Sequence, residues 1–586
     1  MKKIFSCFAI VFLISSSLAF AFDDKRSHPS FTETAVGHSI LEDTLIANLG
    51  IERGIGTRLS DRIDTFAIID WLKRGAELED DPRCRASNHF HDPTKPWPEA
   101  MLTDSTWYLN LYCGTSRYSN LVWATGMVDE NQTPLHPPVN NDSNINNGRN
   151  WSVARDLFYH ALTSSSQVER EHYLAGTFLT LGHVLHLLQD MAVPAHTRND
   201  FSQGHIQVIG CPGGFCLSGW IGNPFEGYVR DNFDLIDEEI SIISKPFTGE
   251  RVLTNFWDTG SVRSSNSYQT GFDIGLAEYS NTNFVSHSTI FQDESNTNHY
   301  FPYPNRESVA DPAYPELADY RLHQVWARDD QLDQVIYVAK NNHGEKIDKF
   351  LKPRYLKFGG GWPDNPPLYR LAFTLDDQCY LEYAKRLIPR AIGYSASLLD
   401  YFFRGRIDIK SPLQLIGPDS SITGLSFAMK NSTAPIEAGW NVEPMTEGKI
   451  ELAYSYKLPD HRDPFFRRVG QAIYVISGPA DAINYGYVPV TVNLPENVPA
   501  NAYDFTFTVV FNGTLGNEAG AVAAQVYQFD NTRLAYFHQP GGQPNTSNIM
   551  VISPSGAHPY PVTDATTPNP WYFGSSAKSV GKLRHG

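Results

Sequence analysis

Leu174–Asp190 reads LAGTFLTLGHVLHLLQD, apolar on most faces of a 3.6-residue period, and so predicts a buried helix. Tyr383–Arg404 (YAKRLIPRAIGYSASLLDYFFR) predicts a second long helix, with Pro389 the position for a kink. Polar stretches rich in Asn, Ser, Gly and Pro, notably Asn131–Asn150 and Asn255–Asp311, read as surface excursions. From about Ile407 the texture changes. Lys449–Tyr456 (KIELAYSY), Val488–Val492 and Tyr503–Phe511 (YDFTFTVVF) alternate or cluster β-branched and aromatic residues between Gly, Pro and Asn. The pattern predicts a mainly α-helical domain over 22–406, followed by an all-β, sandwich-like domain over 407–586.

Residues 1–21 have the make-up of a signal peptide. Lys2 and Lys3 precede an apolar run from Ile4 to Ile14, and Ala19-Phe20-Ala21 fits the small-x-small cleavage rule. Cleavage after Ala21 makes Phe22 the new N-terminus. No later segment is long and apolar enough to span a bilayer, so the expected location is outside the cytoplasm: secreted, periplasmic or at the cell surface. Of the six cysteines, Cys7 leaves with the signal. Cys84, Cys113, Cys211, Cys216 and Cys379 remain, an odd number, and Cys211 and Cys216 bracket a Pro-Gly-Gly turn that suits a disulfide.

Composition narrows the partners. The chain has 586 residues, 41% of them hydrophobic, enough apolar material for more than one core. Lys+Arg total 47 against 64 Asp+Glu, a net charge of −17, with no long basic run. Gripping duplex DNA needs clustered positive charge, so that partner is disfavoured. A phosphate ester held one at a time by metal ions is not excluded.

The chemistry concentrates in His186-Leu-Leu-Gln-Asp190-Met-Ala-Val-Pro194-Ala-His196-Thr-Arg-Asn199. His186 and Asp190 are four apart and share a helix face. Pro194 is expected to end the helix and turn the chain, returning His196 toward the same place. Burying a carboxylate in so apolar a helix costs several kcal/mol unless a cation or hydrogen bonds compensate. Imidazole and carboxylate converging there are what zinc binds. His183 lies on the same face, and spacing alone does not choose between it and His186. A second cluster runs from Gly75 to Asp80 and on to Asn88-His89-Phe90-His91-Asp92-Pro93. Within it Glu77, Glu79 and Asp81 read as solvated acids. A third element is His28, a solitary histidine close to the processed terminus.

Together these clusters resemble the zinc-dependent phospholipase C and S1/P1 nuclease superfamily. His186, Asp190, Pro194, His196 and Asn199 match its His-x3-Asp-x3-Pro-x-His-x2-Asn signature at every spacing, which selects His186 over His183. Gly75–Asp80 and Asn88–Pro93 match two further segments, and His28 falls at the family's first histidine. The resemblance implies a helical domain holding up to three zinc ions. One ion would take His89, His186 and Asp190. A second, bridged by Asp190, would take His28 and the amine and carbonyl of Phe22. The third would take His196 and Glu226. Here the chain departs from the pattern, since the residue four before Glu226 is Gly222 rather than His, and His205 is the candidate replacement. Asp80 would orient the attacking water or act as general base. Asn199 would support the ligands, or simply cap a turn.

The activity implied is phospholipase C-type hydrolysis of a phospholipid or another phosphodiester, with peripheral contact at a membrane surface. The alternative through the same metal core is a single-strand nuclease, which the acidic charge disfavours modestly. A third reading keeps the zinc scaffold for surface binding without catalysis, and the missing histidine at Gly222 supports it.

Overall fold

The computed structural model describes residues 25–561, except 105–109, 112, 128–147, 202–205, 211–216, 221–222, 235–251, 266–270, 272, 288, 290–319, 327–333, 341–343, 359–367, 436–441, 460, 462–463, 469–471, 530–532, 538–547 and 554–555. The expected signal segment, Phe22, His205, Cys211, Cys216 and Gly222 lie outside the described residues. The described chain forms two compact units, neither contiguous in sequence. One draws on 1–39, 69–153 and 178–399, the other on 40–68, 154–177 and 400–586.

The helices include α1 (Ser27–Gly37), α2 (Ile68–Leu78), α3 (Trp151–Thr163), α4 (Gln167–Asp190), α5 (Pro194–Thr197), α6 (Pro224–Asp231), α7 (Leu276–Asn283) and α8 (Asp377–Phe402); other short helices, among them Leu41–Ala47 and Asn120–Thr125, lie between them. The two predicted long helices are α4 and α8, and Pro389 lies inside α8. α4 ends at Asp190, four residues before the proline that was expected to stop it. The Val193 amide donates to the Asp190 carbonyl (2.9 Å), and Pro194 then opens α5 at its first turn, where no N–H is required. Pro194 therefore starts a helix rather than ending one.

α2 and α4 meet backbone to backbone. A Cβ on Gly75 would fall 2.0 Å from the Leu179 carbonyl oxygen, and one on Gly182 2.1 Å from that of Leu72. Only glycine permits this approach. It carries Glu79 and Asp80, just beyond α2, to the face of α4 that bears His183, His186 and Asp190.

Two features of the first unit depart from the sequence expectation. A four-stranded antiparallel sheet, β1 (Tyr320–Trp326), β2 (Gln334–Lys340), β3 (Ile347–Phe358) and β4 (Leu368–Thr374), interrupts the helical region in simple sequential order. In addition, α7 lies within the stretch read as a surface excursion, yet all eight of its residues are buried. Its polar side chains are satisfied internally. Glu278 accepts from the amides of Thr259, Val262 and Gly275, and Asn281 donates to the Thr197 carbonyl. Polar composition signals exposure only when such partners are missing.

The second unit contains the expected β-sandwich. Its strands are β5 (Ile407–Ile416), β6 (Ile422–Asn431), β7 (Met445–Lys457), β8 (Phe465–Arg468), β9 (Tyr474–Ile476), β10 (Val488–Val498), β11 (Tyr503–Leu515) and β12 (Glu518–Gln528). One sheet has the order β10-β6-β5; the other runs β8-β7-β11-β12, with β9 also on β7. The three strands read from sequence fall within β7, β10 and β11. Leu425, Phe427 and Met429 from one sheet share a core with Ile450, Leu452, Phe507 and Val509 from the other. The Phe427 and Phe507 rings lie 5.2 Å apart.

A buried ion network also belongs to this unit. Arg155 of α3 makes two bonds to Glu518, at 2.8 and 3.0 Å, while Arg404 reaches both Glu518 and Glu443. Burial lowers Arg155 in spite of Glu518, whereas at Arg404 burial is outweighed by Glu518 and its neighbours. Both guanidinium groups stay charged, so the carboxyl is the group that titrates. Burial would raise Glu518, but the two arginines overcome it and hold the group at about 2, below its usual 4.5.

The folded value lies below the unfolded one. The stability it contributes is therefore present above the unfolded pKa and is lost as pH falls toward the folded one. The gap corresponds to about 3 kcal/mol. In urea denaturation, the stability difference between wild type and Glu518→Gln is expected to hold steady above about pH 5 and to shrink below it. A difference that does not change with pH would contradict the network's charge assignment.

Candidate metal centre

Six segments of the first unit converge on one place. α4 supplies His186 and Asp190 from one face. The segment just beyond α2 supplies Asp80. A 3-10 turn over Arg83–Asn88 delivers His89. α1 brings His28, α5 brings His196, and α6 brings Glu226. Pro224 at the first turn of α6 and the Asn223 side chain accepting from the Phe225 amide (2.8 Å) fix where Glu226 projects.

Asp190 is the hub. Its Oδ1 faces His28 Nε2 at 3.4 Å and His196 Nδ1 at 3.6 Å. Its Oδ2 faces His89 Nδ1 at 2.8 Å and His186 Nε2 at 3.5 Å. Asp80 lies 3.6 Å from His89 Nδ1 and 3.8 Å from His186 Nε2. His196 turns its other nitrogen to Glu226, 3.3 Å away. The His28 and His186 rings stack at 3.7 Å. Two ligand sets stand close enough together to hold an ion: His28, His186 and Asp190, and Asp80, His89 and His186.

The polar atoms here are aimed at shared points rather than at each other. His186 Nε2, both His89 nitrogens, both Asp190 oxygens and both Glu226 oxygens are buried and lack a hydrogen bond of proper alignment. Even the 2.8 Å approach of His89 to Asp190 is not aligned as one. Leaving such atoms unsatisfied costs about 1–3 kcal/mol each. A cation satisfies several at once, so the donor set fits a metal ion.

The electrostatics agree. Burial would lower His89, but Asp190, Glu79 and Asp80 draw its proton on and raise it to about 10. Burial, reinforced by Asp190 and Asp80, lifts Glu226 well above the ordinary carboxyl range. Burial would raise Asp190 as well, but His186, His89 and His196 hold it well below that range. Burial and the neighbouring His28 push His186 well below its usual value, leaving it a neutral imidazole, the form that binds metal.

The hydrogen bonds distinguish His186 from His183. His186 Nδ1 lies 2.7 Å from the Ala76 carbonyl. A carbonyl only accepts, so Nδ1 carries the hydrogen and Nε2 offers its lone pair inward. His183 instead gives Nδ1 to Glu79. Glu79 is fully buried, which corrects its reading as a solvated acid. It accepts from Arg85, from Trp123 Nε1 at 3.0 Å and from His183, and burial is overcome so that it stays ionised. Glu77 is half-buried and Asp81 exposed.

Two other motif residues stand apart from the cluster. His91 pairs with Asp258 Oδ2 at 3.1 Å, and Arg263 reaches the same oxygen at 2.6 Å. The His91 amide donates to the His196 carbonyl at 3.1 Å, so His91 braces a candidate ligand. Asn199, at φ +56°, accepts from the Thr103 amide and holds the 101–104 turn. Cys84, in the turn before His89, is bonded to Cys113, and Cys379 is buried and reduced.

Sequence reasoning missed Glu79 and Gln189. Gln189 Oε1 lies 2.8 Å from His28 Nδ1. The available signal was a polar residue inside an apolar helical run.

No protein-family model matches this chain, and no curated protein matches it. Among solved structures the chain is similar to the alpha toxin from Clostridium absonum, at TM-score 0.23 and 9% identity over 92% of this chain and 100% of that one. It is also similar to the Clostridium perfringens alpha-toxin isolated from an avian strain, at TM-score 0.18 and 12% identity over 93% and 100%. Likenesses this small carry no weight for the chemistry, which rests on the residues themselves.

His183→Ala is expected to cost stability, about 1–3 kcal/mol for a buried acceptor deprived of a donor, while retaining bound metal. His186→Ala is expected to lose metal. Elemental analysis beside urea denaturation reads both. Metal loss in the first with retention in the second would reverse the assignment.

Proposed function

We propose that the centre holds zinc, up to three ions, and that the protein is an exported zinc-dependent phosphodiesterase acting as a phospholipase C. The observation that carries this reading is Asp190: a fully buried carboxylate, each oxygen faced by two imidazoles, none aligned as a hydrogen bond. Imidazole with carboxylate, and no thiolate, is a donor set suited to catalytic zinc.

His89, His186 and Asp190 would hold one ion. His28, Asp190 and the amine and carbonyl of Phe22 would hold a second, and His196 with Glu226 a third. Zinc held there would supply Lewis acidity toward phosphoryl oxygen and water. Asp190 keeps the sites adjacent because one carboxylate serves both sets of imidazoles. Asp80 is 8% exposed, whereas its neighbours in the cluster are at 2% or below. Both of its carboxylate oxygens are buried and face His89 and His186, where Asp80 would orient the attacking water and accept its proton. Lipid would be met at a membrane surface, and no described helix is long and apolar enough to cross one. Export agrees with the Cys84–Cys113 disulfide, which suits an oxidising compartment.

The test is hydrolysis of p-nitrophenyl phosphocholine beside single-stranded DNA, each with and without chelator. Chelator-sensitive release from the choline ester alone supports the proposal. Chelator-sensitive digestion of DNA alone assigns the nuclease instead, and neither activity in zinc-loaded protein leaves a binding scaffold.

Asp190→Ala is expected to abolish hydrolysis and to remove more than a single equivalent of zinc, because both sets of imidazoles lose their shared carboxylate. Full metal content in this variant would overturn the core assignment. Asp80→Asn is expected to keep most of the zinc and lose rate, since a water-orienting group acts on the nucleophile more than on ion affinity. Zinc depletion as deep as in Asp190→Ala would make Asp80 a ligand.

A further inference from the structure

Gln189 sits beside the hub, on the last turn of α4, with 0% exposure. A primary amide buried in an apolar helix is costly unless both of its ends are engaged. Here both are. Its Nε2 donates to Thr32 Oγ at 3.2 Å and to Ser395 Oγ at 3.4 Å. Its Oε1 stands 2.8 Å from His28 Nδ1. Thr32, Ser395 and His28 are all fully buried. The three contacts join α1, α4 and α8 at one side chain, 161 positions from His28 along the chain.

The direction of the amide decides which proton His28 carries. With Oε1 toward the ring, Nδ1 holds the hydrogen and Nε2 turns a lone pair to the side of Asp190 Oδ1, 3.4 Å away. With the amide reversed, Nδ1 would accept and Nε2 would hold the hydrogen, which blocks it as a ligand. Because Nε2 donates to Thr32 and Ser395, Oε1 is the end turned to the ring. His186 has no such freedom, because the Ala76 carbonyl fixes its Nδ1–H. Of these two stacked imidazoles, then, only His28 depends on a side chain for its tautomer.

We propose that Gln189 is a positioning residue that fixes His28 as the Nδ1–H tautomer and so presents Nε2 to a metal ion shared with Asp190. The inference rests on the metal reading of the centre. Outer hydrogen bonds of this kind orient a ligand imidazole and raise its basicity, and their loss weakens metal binding by about 10–100-fold.

The test uses the full exported protein, zinc alone as the probe, and competition against a chromophoric chelator. Two variants separate tautomer control from packing. Gln189→Met keeps the volume and removes the acceptor. Gln189→Glu keeps an acceptor that cannot donate when ionised, and therefore enforces Nδ1–H. One zinc equivalent is expected to lose about 10–100-fold in affinity in Gln189→Met and to stay near wild type in Gln189→Glu. Near-ultraviolet circular dichroism of the chelator-treated proteins checks that each is folded. Wild-type affinity in Gln189→Met overturns the inference and leaves the metal reading intact. Equal loss in both variants also overturns it, because only the packing would then matter. Absence of zinc from the wild type overturns the metal reading itself.

Discussion

The first unit is organised around a single expensive act, the complete burial of the Asp190 carboxylate at the end of an apolar helix. An ionised carboxylate taken from water loses several kcal/mol of solvation that only opposite charge or hydrogen bonds restore. Four imidazoles from α1, α4, α5 and the end of the Arg83–Asn88 turn close around it, and each needs its own support. His186 leans on the Ala76 carbonyl and His28 on Gln189. His196 is braced through its carbonyl by His91, which is tied in turn to Asp258 and Arg263. The layers of polar contact around Asp190 are thus a consequence of its burial.

The geometry also needs two helices closer together than side chains normally allow. Gly75 and Gly182 supply that closeness, since a Cβ at either would overlap a facing carbonyl. The glycine in the upstream motif therefore acts at a distance from the chemistry. It fixes the separation of α2 from α4, and that separation decides whether Asp80 reaches the imidazoles. Glu79, the neighbour of Asp80, is used differently. It accepts Arg85, Trp123 and His183 and anchors the turn that leads to His89.

Much of this was legible in the chain. The spacing of His186, Asp190, Pro194 and His196 is a local property, fixed by one helix, one tight turn and the start of another. The sandwich was readable because β-branched and aromatic residues alternate or cluster in β7, β10 and β11 between Gly, Pro and Asn. What was not legible depended on partners far away in sequence. Glu79 read as solvated because an acid near Asp80 and Asp81 resembles a polar loop until Arg85, Trp123 and His183 are placed around it. α7 read as surface because Glu, Ser, Thr and Asn dominate it, yet its groups bond to Thr259, Val262, Gly275 and Thr197. β1–β4 were overlooked because the strong helical signals on both sides set the expectation for the whole region. His28 shows the same limit from the other direction, since a solitary histidine near a terminus gives no sign of the pocket that α4 and α8 build for it.

Charge balance carries the argument one step beyond geometry. Among the described residues, the cluster holds three carboxylates besides Glu79: Asp80, Asp190 and Glu226. The charge of Glu79 is matched by Arg85. Protons alone balance the remainder poorly. Glu226 is pushed to keep its proton and His89 to hold one far above its ordinary range, while His186 is driven neutral beside it. Such opposed demands within one contact distance mark a site shaped for positive charge of another kind. In the proposed zinc reading, one divalent ion leaves the three carboxylates a single negative charge in excess, two ions leave a single positive charge and three leave a larger one. Two or more ions would therefore attract a phosphodiester, which carries one negative charge. A protein with a net charge of −17 has no general attraction for such a substrate, so the attraction has to come from the centre itself.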